Sequence, residues 1–151
     1  MDEPARILVI ANETVADPAL KEKILERTAR RAATVLVVCP ALNSRLRHWF
    51  SDDDGARARA SERLDMSLTA LWAEGVHADG LVGDSDPLCA VRDALAEFRP
   101  HEIVISTHPP GKSNWLEKDV VERARELAGA VPVFHVVASG VETDAVRRAS
   151  A

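Results

Sequence analysis

Among its 151 residues the chain has no tyrosine, three tryptophans, three phenylalanines and only two cysteines. Cys39 and Cys89 stand far apart, one at the end of a predicted strand and one in a predicted helix. That excludes the disulfide framework of a small secreted domain and the paired spacing of a zinc knuckle, and both read as small buried hydrophobes. Long apolar runs are missing too, since none approaches the ~20 residues that span a bilayer. Met1-Asp2-Glu3-Pro4 has neither the basic start nor the apolar core of a secretory signal, so a cytoplasmic protein with no membrane partner is expected. Positive charge is in deficit, with 19 Lys and Arg against 24 Asp and Glu and a net charge of -5, which argues against nucleic acid as the main partner. The five histidines show no His-x-x-x-His spacing on one helix face, so no dedicated metal site is expected.

What is present is an alternation of apolar strands and amphipathic helices, in a chain 46% hydrophobic and 28% charged, which suits a single soluble domain. Arg6 to Ala11 reads as a buried first strand. Asp17-Pro18 then sets an N-cap beside a proline at the first helical position, and Leu20, Ile24 and Thr28 follow at four-residue spacing. Thr34 to Cys39 reads as a second strand stopped by Pro40. Ala41 to Gly55 is the longest irregular stretch, a candidate flap carrying Arg45, Arg47, His48, Trp49 and Phe50. A helix is predicted from Ala56 to Glu74 on Ala60, Leu64, Leu68 and Leu71, closed by Gly75, with Arg57, Arg59, Glu62 and Arg63 on a solvated face. Val76 to Val82 has the alternation and internal glycine of a sheet edge. Asp86-Pro87 repeats the N-cap device, Leu88, Val91, Leu95 and Phe98 line the next helix, and Pro100 ends it.

The stretch from Glu102 to Trp115 organises the rest. Ile103 to Ser106 reads as a strand buried on both faces, and Pro109-Pro110-Gly111 stops it before Ser113 or Asn114 caps a helix running from Trp115 to about Ala128. Val120, Val121, Ala124 and Leu127 give that helix its apolar face, and Gly129 ends it. Val131 to Val137 is the fifth strand, with Pro132 at its start. Five strands alternating with four helices predict a three-layer α/β/α sandwich on a five-stranded parallel sheet, in which ligands lie beyond the strand C-termini where strand order reverses. The strand ends supply Asn12, Glu13, Cys39, Pro40, Gly83, Asp84, Thr107, His108, Gly111, Lys112, Ser113 and Asn114. In the Thr107 to Asn114 loop, Gly111 permits close backbone approach, while Ser113 and Asn114 bring polar groups and free N–H groups to a helix start. The loop reads equally as an anion cradle and as an ordinary strand-to-helix turn.

Several catalytic patterns fail inspection. No Gly-x-Gly-x-x-Gly follows the first strand, Ser106 stands where the first glycine of a P-loop belongs, and no Gly-x-Ser-x-Gly elbow occurs. A receiver-like phosphoacceptor site finds Glu13 and Asp84 but no lysine after strand five. No catalytic residue is assigned, and a binding protein is expected rather than an enzyme.

The end Ala11-Asn12-Glu13, the segment Gly83-Asp84-Ser85-Asp86-Pro87 and the run Ile103-Val-Ile-Ser-Thr-His-Pro together resemble the universal stress protein family over about Arg6 to Val137. The likeness is to a small actinobacterial branch with a Ser-Thr-His-Pro-Pro-Gly loop. The resemblance implies a domain over residues 1–138 followed by a polar tail at 139–151, sheet order 3-2-1-4-5 in a Rossmann-like, adenine nucleotide hydrolase-like fold, and a homodimer formed through strand five. It also implies ATP or AMP, as in some members, at the ends of strands one and four. The glycine fingerprint of ATP-binding members is incomplete here. Its first glycine falls on His108, the second on Gly111, and the closing Gly-Ser is missing around Glu117 to Val121.

Three functions follow as expectations. The first is a universal stress-type binding or regulatory protein holding an adenine nucleotide or small anion. The second is a ligand-free dimeric interaction module docking through Arg45, Arg47, Trp49 and Phe50. The third is a metal-dependent nucleotide hydrolase using Asp84 or His108.

Overall fold

The computed structural model describes residues 4–11, 17–40, 53–83, 87–107 and 114–138. Strands β1 (Ala5–Ile10), β2 (Ala33–Pro40), β3 (His77–Gly83), β4 (Glu102–Thr107) and β5 (Val133–Val137) alternate with helices α1 (Pro18–Arg30), α2 (Asp53–Ala73), α3 (Pro87–Glu97) and α4 (Asn114–Ala128). All neighbouring strands are parallel, in the order β3-β2-β1-β4-β5. β3 therefore lies at a sheet edge, as its alternation and Gly80 predict.

The sheet separates two cores because successive side chains of each strand point to opposite faces. Ile7, Val9, Val35, Val37 and Val104 meet Leu20 and Ile24 of α1 and Leu64, Leu68 and Leu71 of α2 on one face. Leu8, Ile10, Ile103 and Ile105 meet Ala90, Val91 and Ala94 of α3 and Val121, Ala124 and Ala128 of α4 on the other. Each fully buried Val, Leu or Ile contributes about 1.5–3 kcal/mol by leaving water. β1 and β4, buried on both faces, form the spine.

Local devices behave largely as their chemistry requires. Asp17 caps α1, its Oδ2 accepting the Ala19 N–H at 2.8 Å, with Pro18 at the first helical position. Gly75 and Gly129 follow α2 and α4 with φ of 82° and 60°, the left-handed conformation that ends a helix most easily on glycine. α3 ends differently. Arg99 takes φ 53° without being glycine, and the Arg6 Nε donates to the carbonyls of Phe98 (2.9 Å) and Arg99 (2.8 Å).

The boundaries depart from the sequence reading at named places. α2 starts at Asp53, inside the stretch read as irregular. Pro40 is the last residue of β2, paired with Gly83, rather than the residue that stops it. Pro132 precedes β5 and contributes only its carbonyl, which accepts the Ile103 N–H at 3.0 Å. Arg63 is half-buried rather than on a solvated face, with its Nε shielded from water. The buried stripe of α4 is Val121, Ala124 and Ala128, which leaves Leu127 38% exposed. Cys39 is buried as expected, whereas Cys89 is only partly so.

Candidate functional site

The sheet parts between its two central strands. The β1–β4 ladder runs from Ile7 beside Glu102 to Ile10 beside Ile105 and stops. Beyond that level β1 stays with β2, since the Ala11 N–H donates to the Val38 carbonyl at 3.1 Å. β4 stays with β5 for two further residues, Ser106 beside Val136 and Thr107 beside Val137, and the Ala138 N–H then donates to the Thr107 carbonyl at 2.8 Å. The result is a mouth between Ala11 on one side and Ser106 and Thr107 on the other. It lies at the point where strand order reverses, the place where open α/β sheets take ligands.

Chain direction supplies its electrostatics. α1 and α4 each follow a strand that ends at the mouth, so both helices begin at this end of the sheet and turn their partially positive N-termini toward it. Asp17 already occupies one N–H of α1. The mouth's walls are buried: Ser106 faces the α1/α2 side and Thr107 the α3/α4 side, at 6% and 2% exposure. Thr107 Oγ1 lies 2.7 Å from His135 Nε2 on β5.

The opposite end of β4, roughly 17 Å away at the usual strand rise, carries a charged cluster. Arg27 of α1 donates from Nε and its terminal nitrogen to both carboxylate oxygens of Glu102, at 2.8 and 3.0 Å. The same guanidinium lies 4.4 Å from the centroid of the Phe134 ring. The hydrogen bonds from Arg27 hold the Glu102 carboxyl below its ordinary range despite the opposing effect of burial, and in return they push the Arg27 guanidinium higher still. This cluster ties α1 to β4 and β5 at the end of the sheet away from the mouth.

The fold has a known counterpart. The structure matches a universal stress protein family protein from Arabidopsis thaliana with AMP bound, over 93% of this chain and 95% of that one, with TM-score 0.59 and 14% sequence identity. The chain has the universal stress protein fold. A universal stress protein in complex with cAMP is also similar, at 13% identity and TM-score 0.46 over 91% of this chain and 100% of that one. No family model matches the chain, and no curated protein matches it.

On this universal stress protein fold the residues picked out from sequence separate into four groups. Thr107 stands at the mouth. Cys39, Pro40 and Gly83 stand at the ends of β2 and β3, to one side of it. The Cys39 side chain lies within the α1/α2 core, so what it offers at the strand end is backbone. Gly83 is required by close packing, because a Cβ there would come within 2.9 Å of Val38 Cγ1 and 3.3 Å of Ala90 Cβ. Asn114 is the first residue of α4. Asn12, Glu13, Asp84, His108, Gly111, Lys112 and Ser113 lie outside the described residues, as do Arg45, Arg47, Trp49 and Phe50. Among the described residues no group of three His, Cys, Asp or Glu side chains is placed to hold a metal ion. Nor, among them, is any helix long and apolar enough to cross a membrane. Sequence reasoning missed the contact between His135 and Thr107, for which His135 alone in an apolar strand was the signal.

Proposed function

We propose that the protein is a cytoplasmic universal stress-type binding or regulatory protein, which holds an adenine nucleotide or other small anion at the ends of β1 and β4 without turning it over. The observation that carries the reading is the parting of β1 and β4 beyond Ile10 and Ile105, under two helix N-termini. The AMP bound to the Arabidopsis protein of the same fold supports an adenine nucleotide as the ligand. Asn12, Glu13, Thr107, His108 and Gly111 to Asn114 would line the pocket. Cys39, Pro40, Gly83 and Asp84 would flank it through the neighbouring strand ends. A homodimer through β5 belongs to the same reading. β5 is the terminal strand, and its Val137 is 44% exposed, an apolar edge that pairing with a second copy would cover.

Native mass spectrometry of freshly purified protein tests both parts at once, since it reports subunit number and retained small molecules. A bound nucleotide, or a melting rise with ATP or AMP that Gly111→Trp abolishes, supports the reading. At a ligand concentration 100 times Kd the gain is about 2.7 kcal/mol. An unchanged melting temperature at millimolar ATP and AMP removes the nucleotide. A monomer at micromolar concentration removes the dimer.

A further inference from the structure

Each face of the sheet carries two helices. Among the described residues α3 packs mainly on β1 and β2, touching β3 where Ala90 approaches Gly83, and α4 packs on β4 and β5, so the corresponding face of β3 is only partly covered. Strand alternation puts Leu36 and Val38 of β2 and Leu81 of β3 on that face, where Val38 and Leu81 are register partners. Together with Ala94 and Phe98 of α3 they line a groove of about 150 Å³, room for one or two apolar side chains, and Leu81 is 45% exposed in it.

The α3 bank of this groove is acidic, and a third carboxylate stands beside the groove on β3. Asp93 and Glu97, one helical turn apart on α3, line its inner side and are exposed. Asp79, also exposed, precedes Leu81 by two residues and so shares its face of β3. The outer edge of β3 is partly closed. Trp72 Nε1 donates to the Ala78 carbonyl at 2.8 Å, and because Trp72 is itself 55% exposed its indole reaches that carbonyl from outside the sheet. A partner adding a strand to this edge would have to displace it. Among the described residues the open surface is the face beside α3, not the edge.

We propose that this groove docks a basic amphipathic helix of a partner protein. The helix would lie alongside α3, placing apolar side chains between Leu36, Leu81 and Phe98 and its Lys or Arg residues against Asp93 and Glu97 on one side and Asp79 on the other. Burial provides the affinity, and the carboxylates select a cationic partner and speed its approach. The site is separate from the mouth between β1 and β4.

The test uses the full chain, labelled with nitrogen-15, and a synthetic peptide with leucines at i, i+4 and i+7 spacing and lysines between them. A scrambled peptide of the same composition serves as the control. Saturable amide shifts at Leu36, Leu81, Ala94 and Phe98 are expected with the patterned peptide only. Leu81→Asp, or Asp93→Lys together with Glu97→Lys, should weaken binding at least about tenfold while the remaining amide spectrum shows an intact fold. Equal binding of the scrambled peptide, shifts elsewhere on the molecule, or indifference to these substitutions would overturn the proposal. Groove shifts that track protein concentration without peptide would also overturn it, by assigning the face to a second copy of this chain.

Discussion

Thr107 Oγ1 sits 2.7 Å from Nε2 of His135, so the last residue of β4 is tied by its side chain to the middle of β5. The bond lies where β4 has already left β1, and it joins the β4–β5 half of the sheet across the wall of the mouth. Thr107→Val keeps the shape and removes the hydroxyl. Because Thr107 is buried, the variant should lose about 1–2 kcal/mol. The check is the urea midpoint at an unchanged slope. An unaltered midpoint would mean that water replaces the hydroxyl without loss.

Arg99 presents the opposite case, a conformation in need of a different residue. It holds φ 53° after α3, where Gly75 and Gly129 serve the ends of α2 and α4. A left-handed non-glycine residue costs about 1–2 kcal/mol, part of which glycine gives back through the greater freedom of the unfolded chain. Arg99→Gly should therefore raise stability by up to about 1 kcal/mol, read as a higher melting temperature. Arg6→Ala should lower it by about 1–2 kcal/mol, since the Phe98 and Arg99 carbonyls then lose a charged donor.

These two sites show where a sequence is readable and where it is not. Asp17-Pro18, the two helix-ending glycines and the apolar strand runs act over a few residues, and all are legible because a cap or a period is a local property. The alternation of elements implied a parallel three-layer sheet, and strand order followed from the resemblance alone. The mouth was legible only as a place, since switch-point geometry fixes where strand ends meet and not which side chains face inward. Thr107 meets His135 28 positions along the chain, and Arg27 meets Glu102 75 positions along. Neither leaves a spacing signal. The start of α2 at Asp53 and the exposure of Leu127 were missed for a different reason, because neighbouring elements decide how far a helix extends and which flank of its apolar stripe is covered.

At Gly80 α2 approaches the sheet closely. A Cβ built there would lie 2.7 Å from Leu64 Cδ1 and 3.0 Å from Leu68 Cδ1, and both leucines are buried. Gly80→Ala should destabilise by about 1–3 kcal/mol, the usual cost of overpacking a filled core. The double variant Gly80→Ala with Leu64→Val should recover part of that loss in the same denaturation measurement. Failure of the second change to help would locate the strain in the backbone of β3 rather than at the leucine.

Glu102 supplies a prediction in pH. Its carboxyl is held below the ordinary range by hydrogen bonds from Arg27, with both side chains largely out of solvent. A carboxyl depressed in the folded state binds its proton more readily in the unfolded chain. The stability it contributes is therefore complete above the ordinary carboxylate range and is lost as pH falls through the depressed folded value. Glu102→Gln should cost about 1–3 kcal/mol at neutral pH, as expected for hydrogen bonds to charged groups. It should also make stability fall less steeply on acidification, so that the two proteins converge at low pH. Arg27→Lys should recover only part of the pair, since an ammonium cannot reproduce the two-pronged contact or lie flat on Phe134. Parallel stability curves for the wild type and Glu102→Gln across the acid range would show that the pair does not couple to folding.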